Sequence, residues 1–495
     1  MSFPVWTLIP FVLMLLGIAI FPLIPALERL WDRPRNQLIY ALVLGVPVGI
    51  GLLLISQPAL LAHALIEYVQ FIVLLLALFT VAGGIVLRGD LPATPRTNTI
   101  FLAVGGVLAS FVGTTGAAML LIRPILATNA ERRYRVHTVV FTIFVVANCG
   151  GLLTPLGDPP LFLGMLRGVP FTWTFSLFPV WLFVNALLLI TYWALDRRFH
   201  ARETPEALAM DTENRRPLRL GGATNLIWFA VIIFAVALVP SLDIDAVAHG
   251  HIEGLNWVPW RELVMLAAAA CSFLTGSTTI RFQENEFTWA PIQEVGALFI
   301  GIFVTMVPAL QVLRAAAPNL PLNEITLFLF TGGLSSVLDN APTYVTFFEM
   351  ATQLPGEPRV GDVPEALLVS ISLGAVLCGA MTYIGNGPNF MVKSVADDGG
   401  VKMPTFLGYV RSAFVYLAPV LLAMLLLFIA DPWWAKALGV VVVVLILVRA
   451  ARNATMPPPQ VLARGERRRA EPEQATSDQP RPDHTDPETE APPQT

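Results

Sequence analysis

Apolar runs of about twenty residues recur along this chain, and a run that long can satisfy its backbone in lipid only as a helix. They extend from residue 4 to residue 449, so the chain reads as an all-α polytopic membrane protein. Of its 495 residues 55% are hydrophobic and 13% charged, with a mean hydropathy of +0.67. A soluble enzyme carries charge on roughly a quarter of its residues, so that class is excluded. No polar stretch before residue 450 is long enough to bury a core of its own, and one membrane domain is expected. Val5 to Ile24 lacks the basic start and small-residue cleavage site of a signal peptide and reads as a spanning helix. Cys149, Cys271 and Cys378 lie inside apolar segments and read as small core residues.

Plain spans are expected at 4–25, 37–56, 62–87, 175–195, 223–240, 259–280, 292–313, 406–430 and 432–449. Four other segments are interrupted. Residues 98–130 carry GTTG (Gly113 to Gly116) at their middle and arginines on both flanks, which implies a return to the same side. A re-entrant hairpin satisfies this, and such backbone is tolerated only where protein or a water-filled cavity surrounds it. Residues 323–354 repeat the form around DNAPT (Asp339 to Thr343) with poorly basic flanks, so this hairpin enters from the other side. Segments 137–167 and 365–397 are too long for one straight span. Each is interrupted by Gly and Pro, at Asn148 to Pro160 and at Gly379 to Asn389, and each reads as a helix broken near the midplane.

With the N-terminus outside, the cytoplasmic loops before residue 450 hold 16 Lys and Arg, against Arg167, Arg261, Arg314 and Arg359 outside. This is the bias that sets orientation. About 11 transmembrane helices result, with the C-terminus cytoplasmic. The expected divisions are an N-terminal helix and loop (1–36), a first repeat (37–222, with the Arg-rich loop 196–222), a linking helix and outer loop (223–258) and a second repeat (259–449). The Pro-, Arg- and Glu-rich tail 450–495 is expected to be a disordered cytoplasmic extension.

The halves are copies. Thr154, Gly157 and Pro160 lie 228 residues before Thr382, Gly385 and Pro388; the hairpin tips are 225 apart, and Glu67 and Glu294 are 227 apart. An odd number of crossings between copies makes them run oppositely. Inverted repeats with broken helices meeting at the midplane are an architecture of secondary transporters.

The order of hairpin, broken helix, hairpin and broken helix, with LTPLGDPP, SSVLDNAPTYVTFFE and TYIGNGPNFMV, resembles the ion transporter superfamily. The likeness is greatest to its NhaD-type sodium/proton antiporters and to related citrate permeases, and it covers roughly residues 37–449. It implies a scaffold domain and a moving transport domain, usually in a homodimer, and a bacterial-type inner membrane as the location.

An ionisable group at membrane depth is costly and by default marks an ion path. Asp158 lies in the first break and Asp339 at the second hairpin tip; their repeat partners are the neutral Asn386 and Thr114. A hard cation such as sodium needs oxygen ligands. The candidates are Asp158, Asp339, Asn340, Asn386, Asn389, Asn148 and the hydroxyls of Thr114, Thr115, Thr154 and Thr382. A carboxylate in a partly dry site can hold either a proton or a cation, which gives antiport by competition. The bland alternatives are that Asp158 caps the half-helix starting near Pro159 and that Asp339 is a turn residue. Lys393 is a counter-charge or a snorkelling side chain, and Arg123 a snorkelling one. Glu67 and Glu294 are relay candidates or helix-start acids, and His137 reads as interfacial. HGHIEG (His249 to Gly254) has spacing that could bind a metal but lacks a third firm ligand, so no metal site is expected.

The expected function is exchange of sodium for protons, with no cofactor beyond the transported ions. The alternative is a cation-coupled citrate or dicarboxylate symporter, for which GTTG would be suited. Two aspartates would repel such an anion unless cations bind with it. No HExxH or GxSxG suggests an intramembrane enzyme, and no phosphate-binding or nucleic-acid motif is present.

Overall fold

The computed structural model describes residues 3–455 apart from 25, 26, 28, 29, 32, 214 and 243–256. The chain is an all-α polytopic membrane protein. Six helical stretches are long and apolar enough to cross a membrane: 34–54, 58–82, 171–200, 290–319, 406–429 and 433–455. They contain α2 (Pro34–Leu54), α3 (Pro58–Ala82), α8 (Phe178–His200), α12 (Ala290–Ala316), α17 (Phe406–Tyr416) with α18 (Ala418–Met424), and α19 (Trp433–Thr455). The expected spans at 4–25, 223–240 and 259–280 are shorter helices: α1 (Ile9–Ile20), α10 (Asn225–Leu238) and α11 (Trp260–Thr275).

The four interrupted segments break where Gly and Pro predict. The first hairpin is α4 (Pro95–Val112) and α5 (Thr114–Thr128), joined at Gly113, whose φ of +84° favours glycine. The second is α13 (Glu324–Ser335) and α14 (Asn340–Ala351). The broken helices are α6 (Val136–Val145) with α7 (Pro159–Leu166), and α15 (Glu365–Cys378) with α16 (Gly387–Asp398). Glycine is required inside each break. A Cβ on Gly157 would lie 2.1 Å from the Gly151 carbonyl oxygen, and one on Gly385 would lie 2.5 Å from that of Gly379.

Each break is pinned to its own hairpin by matching hydrogen bonds. Ser110 donates to the Gly150 carbonyl at 2.5 Å, and Ser336 to that of Cys378 at 3.1 Å. In return Thr154 donates to the Ser110 carbonyl and Thr382 to that of Ser336. The unwound backbone is thus satisfied by hydroxyls where no helix can supply partners. The halves also interlock: α14 packs on α7, and α16 on α5 and α6. Helices α3 and α12 pack on each other and flank this core, α3 against α5 and α12 against α14.

Two small departures from an all-helical fold occur in loops. Val86–Asp90 (β1) pairs antiparallel with Arg216–Gly221 (β2), so residues 86 and 87 leave the expected span 62–87, and the Arg-rich loop holds a strand and a short helix, α9 (Pro205–Glu213). Arg359–Val360 pairs with Val363–Pro364. Cys149 and Cys378 are buried and all three cysteines are free. The expected disordered tail lies, beyond residue 455, outside the described residues.

Candidate functional site

Four short helices start at one place. Gly113 and Thr114, Asp158 and Pro159, Asp339 and Asn340, and Asn386 and Gly387 all line a single cavity of about 130 Å³. Each pair is a cap and first residue, of α5, α7, α14 and α16 respectively. Pro159, Pro160 and Pro388 fall in first turns, where a missing N–H costs nothing. The starts of four helices bring the positive ends of their dipoles to this volume. The opposite wall is apolar, with Phe71 and Leu78 from α3 and Val295 and Phe299 from α12.

Asp158 is 1% exposed and its side chain makes no cap hydrogen bond. Its carboxylate is spent on other elements. Oδ1 accepts from the Thr114 hydroxyl at 3.2 Å and from Asn386 Nδ2 at 3.3 Å, and Oδ2 accepts from Asn340 Nδ2 at 2.6 Å. The capping alternative for Asp158 therefore fails. Its partners come from the first hairpin, the second hairpin and the second break, so this one carboxylate ties the halves together. Hydrogen bonds to a charged group contribute about 1.5–3 kcal/mol each. The amide oxygen of Asn340, itself fully buried, has no hydrogen-bond partner, which leaves an oxygen ligand in the cavity wall unused.

Asp339 is held differently. Its carboxylate accepts from the Ala341 backbone N–H at 3.0 Å and caps α14. Asp339 is thus a helix cap where a turn residue was the alternative, and it also lines the cavity. Thr115 lines it too. Among the described residues no Lys, Arg or His is found in the lining.

Several expected ligands are elsewhere. Thr154 and Thr382 turn their hydroxyls onto the hairpin carbonyls described above and do not line the cavity. Asn148 donates to Asn389 Oδ1 at 2.6 Å and its own Oδ1 accepts from Asn386 at 3.2 Å. Asn389 donates to the Gly379 and Thr382 carbonyls. These two asparagines stand behind the site and hold Asn386 toward Asp158.

The charged candidates separate as well. Lys393 pairs with Asp397 at 2.8 Å, one turn on, and not with a cavity carboxylate. Arg123 pairs with Glu286 at 2.7 Å instead of only snorkelling. Glu294 is near the start of α12 and accepts from Gln37 at 3.0 Å. Glu67 is no helix-start acid, because α3 begins at Pro58; it is buried and pairs with Arg167 at 2.7 Å. His137 is not merely interfacial, since it meets the buried Asp196 at 2.8 Å, which also pairs with Arg132 at 2.6 Å. Sequence reasoning missed Ser110, Ser336, Glu349 and Asp196. Serines three residues before a hairpin tip were a weak signal; the acids had none. Among the described residues no group of three or more His, Cys, Asp or Glu could hold a metal. The HGHIEG motif lies outside the described residues.

None of the curated proteins matches the chain. A family model described as "Putative citrate transport" matches residues 1–429. That match takes in every helix but α19 and all four helix starts around the cavity. With membrane-length helices and a cavity that two carboxylates line, the chain belongs to this family and is an integral membrane transporter.

Proposed function

We propose that the protein is a sodium/proton antiporter whose shared site is the cavity between Asp158 and Asp339. The observation that carries this reading is Asp158, a carboxylate buried at the meeting of four helix starts with no cationic side chain in the cavity lining. Two carboxylates, the unused Asn340 oxygen and the Thr114 and Thr115 hydroxyls offer a hard cation the oxygen ligands it needs. A proton and a sodium ion compete for the same oxygens, and exposing the site alternately to the two sides turns competition into exchange. The ten ligand candidates then divide into ligands (Asp158, Asp339, Asn340, Thr114, Thr115, Asn386) and residues that hold them in place (Asn148, Asn389, Thr154, Thr382). The two repeats run oppositely in the bilayer, as the loop charges support. The membrane is a bacterial-type inner membrane with the C-terminus cytoplasmic, and the protein works as a homodimer.

The second reading is a cation-coupled citrate symporter, which the family description favours. Four helix N-termini around one cavity also suit a carboxylate. Against it, both aspartates face that volume and would repel an anion until cations neutralise them.

Inverted vesicles with an imposed proton gradient separate the two. Sodium is expected to dissipate the gradient in proportion to its concentration, with more sodium needed as the proton concentration rises; Asp158→Asn is expected to prevent this and Asp339→Asn to weaken it. Citrate uptake that requires sodium while the proton gradient stands unaffected would reverse the order of the two readings.

A further inference from the structure

Three cavities follow one another along α3 and α12. The central one holds Asp158 and Asp339. A second, toward Arg123 and Glu286, shares Phe79, Thr115, Gly116, Pro291 and Met391 with it. The third, about 660 Å³ and lined by Glu67, Arg167, Arg314 and Glu349, shares none. Between it and the centre Phe71 stacks on Phe299 with ring centroids 4.9 Å apart and lies 5.9 Å from Phe303. All three rings are buried. The site thus adjoins the cavity toward the Arg123 face and is separated by these rings from the one toward the Arg314 face.

The closed side carries a buried ion cluster. Arg167 reaches Glu67 at 2.7 Å and Glu349 at 3.0 Å, and Arg314 Nε reaches Glu349 at 2.7 Å. The side chains of Arg167, Glu67 and Glu349 are 9%, 8% and 8% exposed. The placement of these residues is informative. Helix α7 lies between Asp158, which precedes its first residue, and Arg167, which follows its last; α14 is preceded by Asp339 and carries Glu349 near its end. The two helices pack on each other. Each therefore has a site aspartate at one end and a cluster residue nine or ten residues on, about 14–15 Å along the axis at 1.5 Å per residue. The partners Glu67 and Arg314 belong to α3 and α12, which flank the site.

We infer that Arg167, with Glu67, Glu349 and Arg314, is a latch that fastens α7 and α14 to α3 and α12, and that it must part before the site opens to the Arg314 face. Arg167 is a positioning residue in this account, since it touches no transported ion. A buried ion cluster is a poor source of net stability but a good two-state element, because separating its charges is costly unless water reaches them. The adjoining cavity of about 660 Å³ gives water room to reach them. Movement of either helix start on ion binding is carried along a rigid short helix to the latch. This inference rests on reading the Asp158 cavity as the transport site.

The test reads access and not transport. In a chain with Cys149, Cys271 and Cys378 replaced by alanine, Val295→Cys places a reporter in the central cavity. Reconstituted vesicles are treated with a membrane-impermeant maleimide, and Asn319→Cys identifies which vesicles present the Arg314 face. Glu67→Gln is expected to raise labelling from that face at least fivefold. Glu67→Asp, which keeps the charge and shortens the reach, is expected to give an intermediate rate and serves if the first variant does not fold. Labelling from the Arg314 face at the parent rate in every variant that folds would overturn the latch. Vesicles in which sodium leaves the proton gradient intact would defeat the antiport reading without changing the labelling result.

Discussion

Asp158 and Asp339 occupy the same position on two adjacent helices, the residue before the first turn, and they are held in opposite ways. Asp339 binds the backbone of its own helix, two residues on. Asp158 ignores its own helix and binds side chains from both hairpins and the second break. A cap that can be exchanged for Asn without loss is a local device. A buried carboxylate with three donors from three elements is a global one, and its charge depends on how the two halves sit together. The comparison teaches that the repeat places four helix starts together, while the two carboxylates stand where the repeat is broken, Asp158 opposite Asn386 and Asp339 opposite Thr114.

The largest effect is expected at Asp158. Asp158→Asn should reduce sodium-driven dissipation of a proton gradient at least ~100-fold, equivalent to about 2.7 kcal/mol of barrier. Residual exchange near the parent rate would remove the distinction between the two aspartates. Gly157→Ala should come next, because its Cβ would meet the Gly151 carbonyl at 2.1 Å; a loss of about 2 kcal/mol is expected from overpacking of this kind. Gly387→Ala, where nothing lies within 4 Å, should be neutral. Both are read from thermal unfolding in detergent.

Asp339→Asn keeps the cap and should leave the unfolding temperature unchanged while reducing exchange about tenfold, or ~1.4 kcal/mol. Asp339→Ala should lose that exchange and about 1 kcal/mol of stability besides. If the Asn variant unfolds as early as the Ala variant, the capping role is misassigned. The smallest effect is expected at Thr154→Val and Thr382→Val. Each breaks one pin between break and hairpin, costs about 1 kcal/mol, and leaves the sodium dependence of exchange unmoved. A large change in sodium dependence would return these threonines to the ligand set.

Much of the fold was legible because lipid leaves few choices. Runs of twenty apolar residues and Gly-Pro interruptions fix helices and breaks with little reference to distant contacts, and Gly113, Asp158 and Asp339 stand where those rules put them. The site was legible in part, since a carboxylate inside an apolar run has few explanations. What could not be read was direction. Thr154 and Asn386 sit in equally polar stretches, yet one faces Ser110 and the other Asp158, and only packing between segments 44 and 228 residues apart decides that. The latch was hidden for the same reason: Arg167 looks like an ordinary loop arginine until Glu67 and Glu349, 100 and 182 residues away, meet it. The ribbon of β1 and β2 joins segments far apart in the chain, with no turn signal between them.

The central claim is that sodium and protons compete for the oxygens around Asp158. Proton release on adding sodium to the purified, weakly buffered protein measures this directly. Release that saturates with sodium, is absent with potassium citrate, and disappears in Asp158→Asn is the predicted result. Sodium binding with no proton released, or release that persists unchanged in Asp158→Asn, would contradict it.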